Sequence, residues 1–401
     1  MSGGRRLLVI ASDQDDYISL FRDVTIDGQK IEVEQAEWTH IQLSSYPHAG
    51  VVLSLAASTP VGSYKRNQSR IFRPDFVLIR MISHGLPTQD HRNLVYGLQH
   101  YNVPCINSLQ SVISNFERPN MYGALRSIQQ RLGKETFPLI EQYYYSGFQQ
   151  MAMTPKYPIV VKVGHVHSGY GKTLLRSHQE FIDLASIIAL HPDYCTTEPF
   201  INSAYDVRIQ KIGDHYRAYR RTGSGWKGGV NALEDTPVTE TYKMWADECS
   251  KLFGGMDILA IDVVHCSETN KDYIIELNEC SIGLGKNHEI EDNNIIRDLV
   301  VKRMTEAFAN KTIEPKQESS TTNAYKSLEV ELINLENVKL EIEQSLKKAN
   351  QKVAFLQGTN SELKKRNNAF FRRGFGFGFT FGVGFSTALL VSYLAYRWKK
   401  Q

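Results

Sequence analysis

The sequence predicts an α/β fold over about the first 310 residues, followed by a coiled-coil helix and a single C-terminal transmembrane helix. Three observations support this prediction. Short apolar runs alternate with helical patterns up to about residue 310, a heptad pattern follows a polar linker, and a long uncharged stretch lies within the last 28 residues. A chain of 401 residues is long enough for two or three folding units.

The composition excludes several classes of protein. A mean hydropathy of −0.33 excludes a membrane protein with many spans, and 10% aromatic residues exclude a wholly disordered chain. The 46 basic and 43 acidic residues leave a net charge of +3, so we expect no nucleic-acid partner. Five scattered cysteines are typical of cytosolic thiols rather than of a disulfide framework.

Alternating apolar strands and helical stretches are the basis of the α/β prediction. The predicted strands are Leu7–Ala11, Phe76–Arg80, Ile159–Val163, Thr173–Arg176, Asp206–Ile212, His215–Arg221, Ile258–His265 and Asp272–Leu277. The predicted helices are Arg92–His100, Met121–Leu132, His178–Leu190, Glu240–Leu252 and Asn293–Met304. The first apolar run is too short for the core of a signal peptide, so we expect no secretory entry.

A glycine-rich turn follows the strand Ile159–Val163. Ser168-Gly169-Tyr170-Gly171 could bring backbone N–H groups close to phosphate oxygens, and Lys162 could add a positive charge. A Walker A loop is excluded because its first glycine is replaced by Val166 and the flanking pattern is strand–loop–strand. The alternative is a plain glycine-containing hairpin. His165 and His167 have no further ligands nearby in the sequence, so we do not expect zinc.

Two neighbouring predicted strands, otherwise largely apolar, carry side chains whose oxygen atoms could bind a metal ion. Asp262 lies on one strand, and Glu276 and Asn278 share a face of the next. Burying two carboxylates is costly unless a cation compensates, and hard oxygen ligands indicate Mg²⁺ or Ca²⁺ completed by phosphate. The alternative is that either carboxylate pairs with Arg208 or Lys162 without a metal. Between the two motifs, Thr196–Ile201 could form a hinge that offers backbone groups and Glu198 to an adenosine.

Together these features resemble the ATP-grasp superfamily, and more closely the central domain of the synapsins. The resemblance covers about residues 5–305, which would divide into a pre-ATP-grasp domain (1–90) and an ATP-grasp domain (91–310). It is strongest in residues 30–37, 73–80, 137–142, 159–172, 196–201, 205–213 and 253–255. It implies ATP binding with a divalent cation, dimerisation, cytoskeletal proteins as partners, and a role in neurotransmitter release at the cytosolic face of synaptic vesicles. It implies no established reaction.

The resemblance also implies roles for individual residues. Phosphates would contact Arg118, Lys162, Ser168, Gly169, Gly171 and Arg208; adenosine would contact Glu198 and Ile201; Lys227 and Asn231 would belong to a mobile loop; and the metal would be held by Asp262, Glu276 and Asn278.

Three of these positions depart from the usual synapsin pattern. Arg118 replaces a lysine and keeps its charge but not its shape, while Asp262 replaces a glutamate found in several synapsins. Asn278 restores the form found in catalytic ATP-grasp enzymes. The alternative function is therefore an ATP-dependent carboxylate–amine ligase anchored to a membrane, and a third is a coiled-coil scaffold with an inactive nucleotide fold.

A heptad pattern follows the polar linker at 311–324. Nine of eleven seam positions between residues 325 and 366 are apolar, which predicts a coiled coil and hence a homodimer or higher homo-oligomer. Lys339 and Asn360 are the two polar seam residues, a pattern that favours a dimer in one register. The alternative is an amphipathic helix that packs on its own globular domain.

The segment from 374 to 396 contains 23 residues without a charge. As a helix it would rise ~35 Å, enough to cross a bilayer core. Basic residues flank both sides, with the excess on the N-terminal side, which predicts a tail anchor with the large N-terminal part in the cytosol. We therefore expect the chain at a synaptic vesicle or another intracellular membrane. The alternative is a low-complexity tail or a segment lying on the membrane surface.

Overall fold

The computed structural model describes most of the globular part of the chain and a short C-terminal helix. The described residues are 5–57, 66, 68–153, 156–165, 167, 169–190, 192–223, 230–285, 287–313, 327–328, 330–331, 334–335 and 338–355. The chain divides into two compact units, Met1–Asn334 and Leu335–Gln401, and each is described by itself.

The first part of unit 1 alternates strands with short helices. Its elements are β1 (Arg6–Ile10), α1 (Tyr17–Phe21), β2 (Thr25–Ile26), β3 (Gln29–Lys30), β4 (Glu32–Ala36), β5 (Ile41–Tyr46), β6 (Gly50–Leu55), β7 (Arg70–Phe72), β8 (Phe76–Ile79), β9 (His84–Leu86), β10 (Gln89–Asp90), α2 (Arg92–Tyr101), β11 (Cys105–Ile106) and α3 (Leu109–Ser114).

A four-stranded parallel sheet in the order β11-β8-β1-β4 organises this part. Leu7, Leu8 and Val9 of the inner strand β1 are all fully buried, because both faces of a parallel sheet are covered. The sheet extends to Ile106, past the domain boundary predicted at residue 90, because β11 pairs with β8. A separate antiparallel sheet, β5-β6-β7, has no counterpart among the predicted strands.

The rest of unit 1 is built from two antiparallel sheets and four helices. Its elements are α4 (Arg118–Leu132), β12 (Tyr143–Tyr145), β13 (Ile159–Val163), β14 (Lys172–Leu175), α5 (His178–Ile188), β15 (Cys195–Pro199), β16 (Ser203–Ile212), β17 (His215–Gly223), β18 (Val230–Thr236), α6 (Glu240–Ser250), β19 (Ile258–Cys266), β20 (Lys271–Asn278) and α7 (Glu289–Ile313). All eight predicted strands and five predicted helices are present, with ends shifted by a few residues and α7 lengthened at both ends.

The two antiparallel sheets have the orders β12-β15-β13-β14 and β18-β17-β16-β19-β20. α4 and α6 cover the larger sheet, where Leu125 and Trp245 join the core around Ile261. α7 returns to the first part of the chain, and its Ile296 and Met304 join the core of the parallel sheet. The parallel sheet and the larger antiparallel sheet are therefore held together by a continuous core.

The described part of unit 2 contains a helix over residues 338–355, within the predicted coiled coil. The seam residues Ile342, Leu346 and Val353 are exposed on this helix. No helix within the described residues is long and apolar enough to cross a membrane. The predicted anchor, 374–396, lies outside the described residues.

Candidate functional site

The two antiparallel sheets and the first part of the chain enclose a cavity of about 430 Å³. Seven predicted site residues line this cavity: Arg118, Lys162, Gly169, Arg208, Asp262, Glu276 and Asn278. Four ion pairs determine its electrostatics: Lys162–Glu198, Arg208–Asp262, Arg221–Asp262 and Arg118–Glu276.

Lys162 on β13 forms a buried ion pair with Glu198 on β15. The two strands are antiparallel neighbours, and the side chains lie diagonally on the same face of the sheet. Nζ of Lys162 lies 2.6 Å from Oε1 of Glu198, and Gln142 donates a hydrogen bond of 2.8 Å to the same oxygen. The two side chains are 7% and 5% exposed. Burial lowers the pKa of Lys162, and the charge of Glu198 opposes that shift. The ion pair with Glu198 holds the amino group at the cavity wall.

Asp262 on β19 lies between two arginines. Its direct neighbour on β16 is Arg208, whose Nε lies 3.2 Å from Oδ1, and Nη2 of Arg221 on β17 lies 3.0 Å from the same oxygen. Neither ion pair has the alignment of a hydrogen bond. Oδ1 is buried and accepts no hydrogen bond within the described residues. Oδ2 accepts a hydrogen bond of 3.1 Å from Asn278. A carboxylate oxygen in this state is a suitable ligand for a cation.

Glu276 on β20 is the second carboxylate of the cavity. It faces Asp262 across the β19–β20 ladder, and Nη1 of Arg118 lies 3.3 Å from its Oε1. Burial alone would raise the pKa of Glu276, but the nearby charges of Arg118 and Lys162 outweigh burial and lower it to about 2. The carboxylate is therefore ionised at neutral pH and can act as an oxygen ligand.

The residues present fit a divalent cation that is shared with a phosphate. Asp262, Glu276 and the amide oxygen of Asn278 supply hard oxygen ligands, of the kind that Mg²⁺ and Ca²⁺ prefer. Within the described chain, no three or more His, Cys, Asp or Glu side chains form a metal site by themselves. Ligands from outside the protein, such as phosphate oxygens, would have to complete the coordination shell.

The glycine turn between β13 and β14 borders the cavity. Gly169 and Gly171 have φ angles of +77° and +57°, which glycine adopts without strain. No atom of the described residues outside the turn's immediate chain neighbours lies within 4 Å of a Cβ built on Gly169. Lys172, which follows the turn, also lines the cavity. Ser168 lies outside the described residues.

Of the two predicted adenosine contacts, Ile201 lies apart from the phosphate and metal residues, whereas Glu198 pairs with Lys162. Ile201 lines a second cavity of about 350 Å³ together with Pro199 and Tyr273, and it is absent from the lining of the first. Glu198 is buried beneath Lys162. Lys227 lies outside the described residues, and Asn231 belongs to β18 with its side chain outside the described part.

Several cavity residues were not identified from the sequence. Arg221 aligns opposite Asp206 in the β16–β17 hairpin and reaches Asp262, a placement that depends on the hairpin register. The first part of the chain contributes Ser83 and His84. The backbone N–H of His167 donates a hydrogen bond of 3.0 Å to the carbonyl of Gly85 on β9, so the pair of strands β9 and β10 contacts the glycine turn.

Similar architectures occur in solved ATP-grasp structures. A RimK domain ATP-grasp protein from Sphaerobacter thermophilus is 15% identical with a TM-score of 0.50, and the match covers 74% of this chain and 99% of that protein. D-alanyl-alanine synthetase A from Vibrio cholerae is 11% identical with a TM-score of 0.52, covering 77% and 99% of the two chains. At this identity the likeness shows the fold alone, and it confirms the predicted ATP-grasp architecture.

Sequence comparisons identify the family. Residues 2–105 match the model of the synapsin pre-ATP-grasp domain, and residues 107–306 match the model of the synapsin ATP binding domain. Synapsin of Drosophila melanogaster is 36% identical over 310 residues, which cover 74% of this chain but only 29% of the Drosophila protein. The chain thus spans less than a third of that relative. Two family models that together match most of residues 2–306 show that the chain belongs to the synapsin family.

Proposed function

We propose that this chain binds ATP with a divalent cation in the 430 Å³ cavity and acts as a nucleotide-regulated tether on vesicles in neurotransmitter release. The observation that carries the proposal is the convergence of Lys162, Arg118 and Arg208 with Asp262 and Glu276 around one cavity in a chain of the synapsin family. The cations would hold the phosphates, and the carboxylates would hold the metal. The cation would be Mg²⁺ or Ca²⁺.

Each side chain of the cavity has a distinct part in nucleotide binding. Lys162 is held at the cavity wall by Glu198 and supplies a fixed positive charge to the phosphates. Arg208 and Arg221 neutralise Asp262 while no cation is bound, and they are free to contact phosphate oxygens once Asp262 serves as a ligand. A bound divalent ion supplies positive charge that offsets the polyphosphate and fixes its geometry.

A tether needs more than one attachment point, and the helical segment could provide it. The apolar seam residues of the helix at 338–355 are exposed, and burying them against a second copy would follow the heptad pattern. We propose that the chain forms homodimers through this helix. Sedimentation of the full chain and of an Ile342→Lys, Leu346→Lys variant tests this. A wild-type dimer and a variant monomer are expected, whereas equal masses would contradict it.

Vesicle clustering tests the tether directly. Liposomes with the lipid composition of synaptic vesicles should cluster when the full chain is added, as followed by dynamic light scattering, and ATP with Mg²⁺ should change the extent of clustering. Lys162→Met should cluster the liposomes to an extent that ATP no longer changes. Lys251→Met is the matched control, because Lys251 is exposed and lines neither cavity. Clustering that ATP affects equally in both variants would contradict the proposal.

A second function, an ATP-dependent carboxylate–amine ligase, is favoured by one specific observation. Glu276 and Asn278 both line the cavity with Arg208, and this set could stabilise a phosphoryl group during transfer to a carboxylate. The chain would have to release ADP only when a carboxylate and an amine are both present. Substrate-dependent ADP release that Glu276→Gln abolishes would establish the ligase, and tight ATP binding without turnover would favour the tether.

A further inference from the structure

Three histidines surround the glycine turn of the cavity. His165 and His167 belong to the turn itself, and His84 comes from β9 in the first part of the chain; all three line the cavity. The rings of His84 and His165 are stacked with centroids 5.7 Å apart, and the rings of His165 and His167 meet edge to face at 4.7 Å. The function proposed above does not use these side chains.

His165 and His167 share a single hydrogen bond. Their Nε2 atoms lie 3.0 Å apart, so one imidazole donates the hydrogen and the other accepts it. This contact cannot be kept if both rings are doubly protonated. Whichever ring donates, Nδ1 of His165 is buried and has no hydrogen-bond partner within the described residues. Nδ1 of His165 carries a hydrogen if His167 is the donor and lacks one if His165 is the donor, and a ligand oxygen could pair with this nitrogen only when it is protonated.

The surroundings keep this pair neutral while the cavity holds no anion. Burial, His167 and Arg118 lower the pKa of His165 to about 3. Burial also lowers the pKa of His167, against the opposing charge of Glu276. The charged and titratable groups that face the three rings are Arg118 of α4, Glu276 and Glu279 at the end of β20, Asp193 before β15, and Asp90, Arg92 and Glu117 around His84. Positive charge at the cavity mouth and loss of solvent both disfavour an imidazolium.

We propose that the His165–His167 pair takes up a proton when a nucleotide polyphosphate enters the cavity, so that nucleotide binding strengthens as the pH falls towards 6. This inference rests on the proposed binding of ATP. The phosphates bring negative charge to the turn that carries both rings. In either tautomer of the pair, the added proton goes to the one Nδ1 that lacks a hydrogen, so both Nδ1 atoms are then protonated and Nδ1 of His165 can donate to a phosphate oxygen. The Nε2 contact between the rings can persist with one extra proton on the pair, because one ring still accepts.

The size of the effect follows from elementary electrostatics. One unit of negative charge about 5 Å away raises a pKa by roughly two at an effective dielectric constant of about 20. Two net charges on the bound nucleotide would therefore bring the pair close to neutral pH. Uptake of a whole proton makes affinity rise about tenfold for each pH unit lowered, and uptake of half a proton about threefold.

The nucleotide itself cannot supply this signal. A terminal phosphate has a second pKa of about 6, and a cationic site favours its ionised form, so the ligand loses protons on binding. Glu276 remains ionised at neutral pH because its pKa is about 2. Net proton uptake near neutral pH would then come from the histidines or from Lys162, whose pKa burial lowers, and the variants below separate these two sources.

Calorimetry of the full chain tests the proposal. ATP with saturating Mg²⁺ is titrated at pH 7 in two buffers of different ionisation enthalpy, and the difference in heat gives the number of protons taken up. We expect roughly 0.3–1 proton per nucleotide, with affinity weakening by about two- to tenfold between pH 7 and pH 8. ATP that binds without proton uptake would overturn the inference and leave the proposed function standing. No binding at any pH would overturn both.

Matched variants assign the proton. In His165→Gln with His167→Gln, the amides keep hydrogen-bonding capacity without titrating near neutral pH, and uptake should fall close to zero while some ATP binding remains. His84→Asn should keep the uptake. An unchanged proton count in the double variant, or its loss in His84→Asn alone, would overturn the assignment to the pair. The measurement on the wild-type chain decides the coupling even if the double variant does not fold.

Discussion

Replacing Lys162 by methionine should destabilise the fold far more than a typical lysine substitution. The ammonium and the carboxylate of Glu198 are both buried and lie 2.6 Å apart, with Gln142 as a further hydrogen-bond donor. Removing the lysine leaves Glu198 charged and buried with one neutral partner. Breaking a buried ion pair in this way costs about 3–5 kcal/mol, because the remaining charge keeps its desolvation penalty without compensation.

An exposed ion pair in the same domain is the matched control. Lys134 and Glu141 lie 3.1 Å apart, but their side chains are 67% and 61% exposed. Solvent screens such a pair, so Lys134→Met should cost no more than about 1 kcal/mol. The comparison keeps the chemical change constant and varies only the burial of the pair.

Urea unfolding measures both variants. Tryptophan fluorescence is a suitable signal because Trp245 is buried in the core of the larger antiparallel sheet. Adding Glu198→Gln to Lys162→Met should recover much of the lost stability, since no charge is then left buried. A cost for Lys162→Met below about 1 kcal/mol, or no recovery in the double variant, would refute the reasoning.

Three further predictions concern the same cavity. Because the pKa of Glu276 is lowered to about 2, its ionised form adds up to about 3 kcal/mol of stability above pH 4.5, and this stability is lost as the pH falls towards 2. In urea unfolding, the difference in stability between wild type and Glu276→Gln should therefore shrink from pH 6 to pH 3. A constant difference would contradict this. Gly85→Ala should weaken ATP binding at least fivefold in a titration, because a Cβ there would lie 2.8 Å from the imidazole of His165. Gly28→Ala is the control: it has a similar positive φ, no described atom lies within 4 Å of its Cβ, and ATP binding should be unchanged. Equal effects of the two substitutions would show that the contact is unimportant. Asp262→Asn should remove most of the dependence of ATP affinity on divalent cations, while Asp298→Asn on α7 should leave it unchanged, and a persisting dependence in the first variant would exclude Asp262 as a ligand.

The sequence predicts the regular core of the fold well, because burial imposes a visible pattern. β1 is apolar after Arg6 and β13 is apolar except for Lys162, and both are strands. The segment predicted as a hinge, Thr196–Ile201, overlaps β15, in which the polar residues Thr196 and Thr197 are buried, so no apolar pattern indicates this strand. β6 is itself an apolar segment, with Val51, Val52, Leu53 and Leu55 buried, and the prediction missed it. β5 and β7 carry fewer apolar residues, and both pair with β6.

A residue of the candidate site can be predicted only where the pattern of a single strand or turn points to it. Lys162, Asp262 and Glu276 lie on strands whose pattern reveals their direction, and the structure brings them to one cavity. Arg221 reaches Asp262 only through the register of two strand pairs. His84 reaches the glycine turn from a separate part of the chain, and no local pattern indicates a contact between segments about 80 residues apart.

Titration of the full chain with ATP tests the central claim most directly, with Mg²⁺, with Ca²⁺ and with a chelator in parallel. The structure predicts one nucleotide per chain, affinity that falls at least tenfold when the chelator removes the cation, and loss of binding in Lys162→Met. Failure of ATP to bind under any of these conditions, or binding that neither the chelator nor the variant changes, would contradict the assignment of the cavity to ATP and a divalent cation.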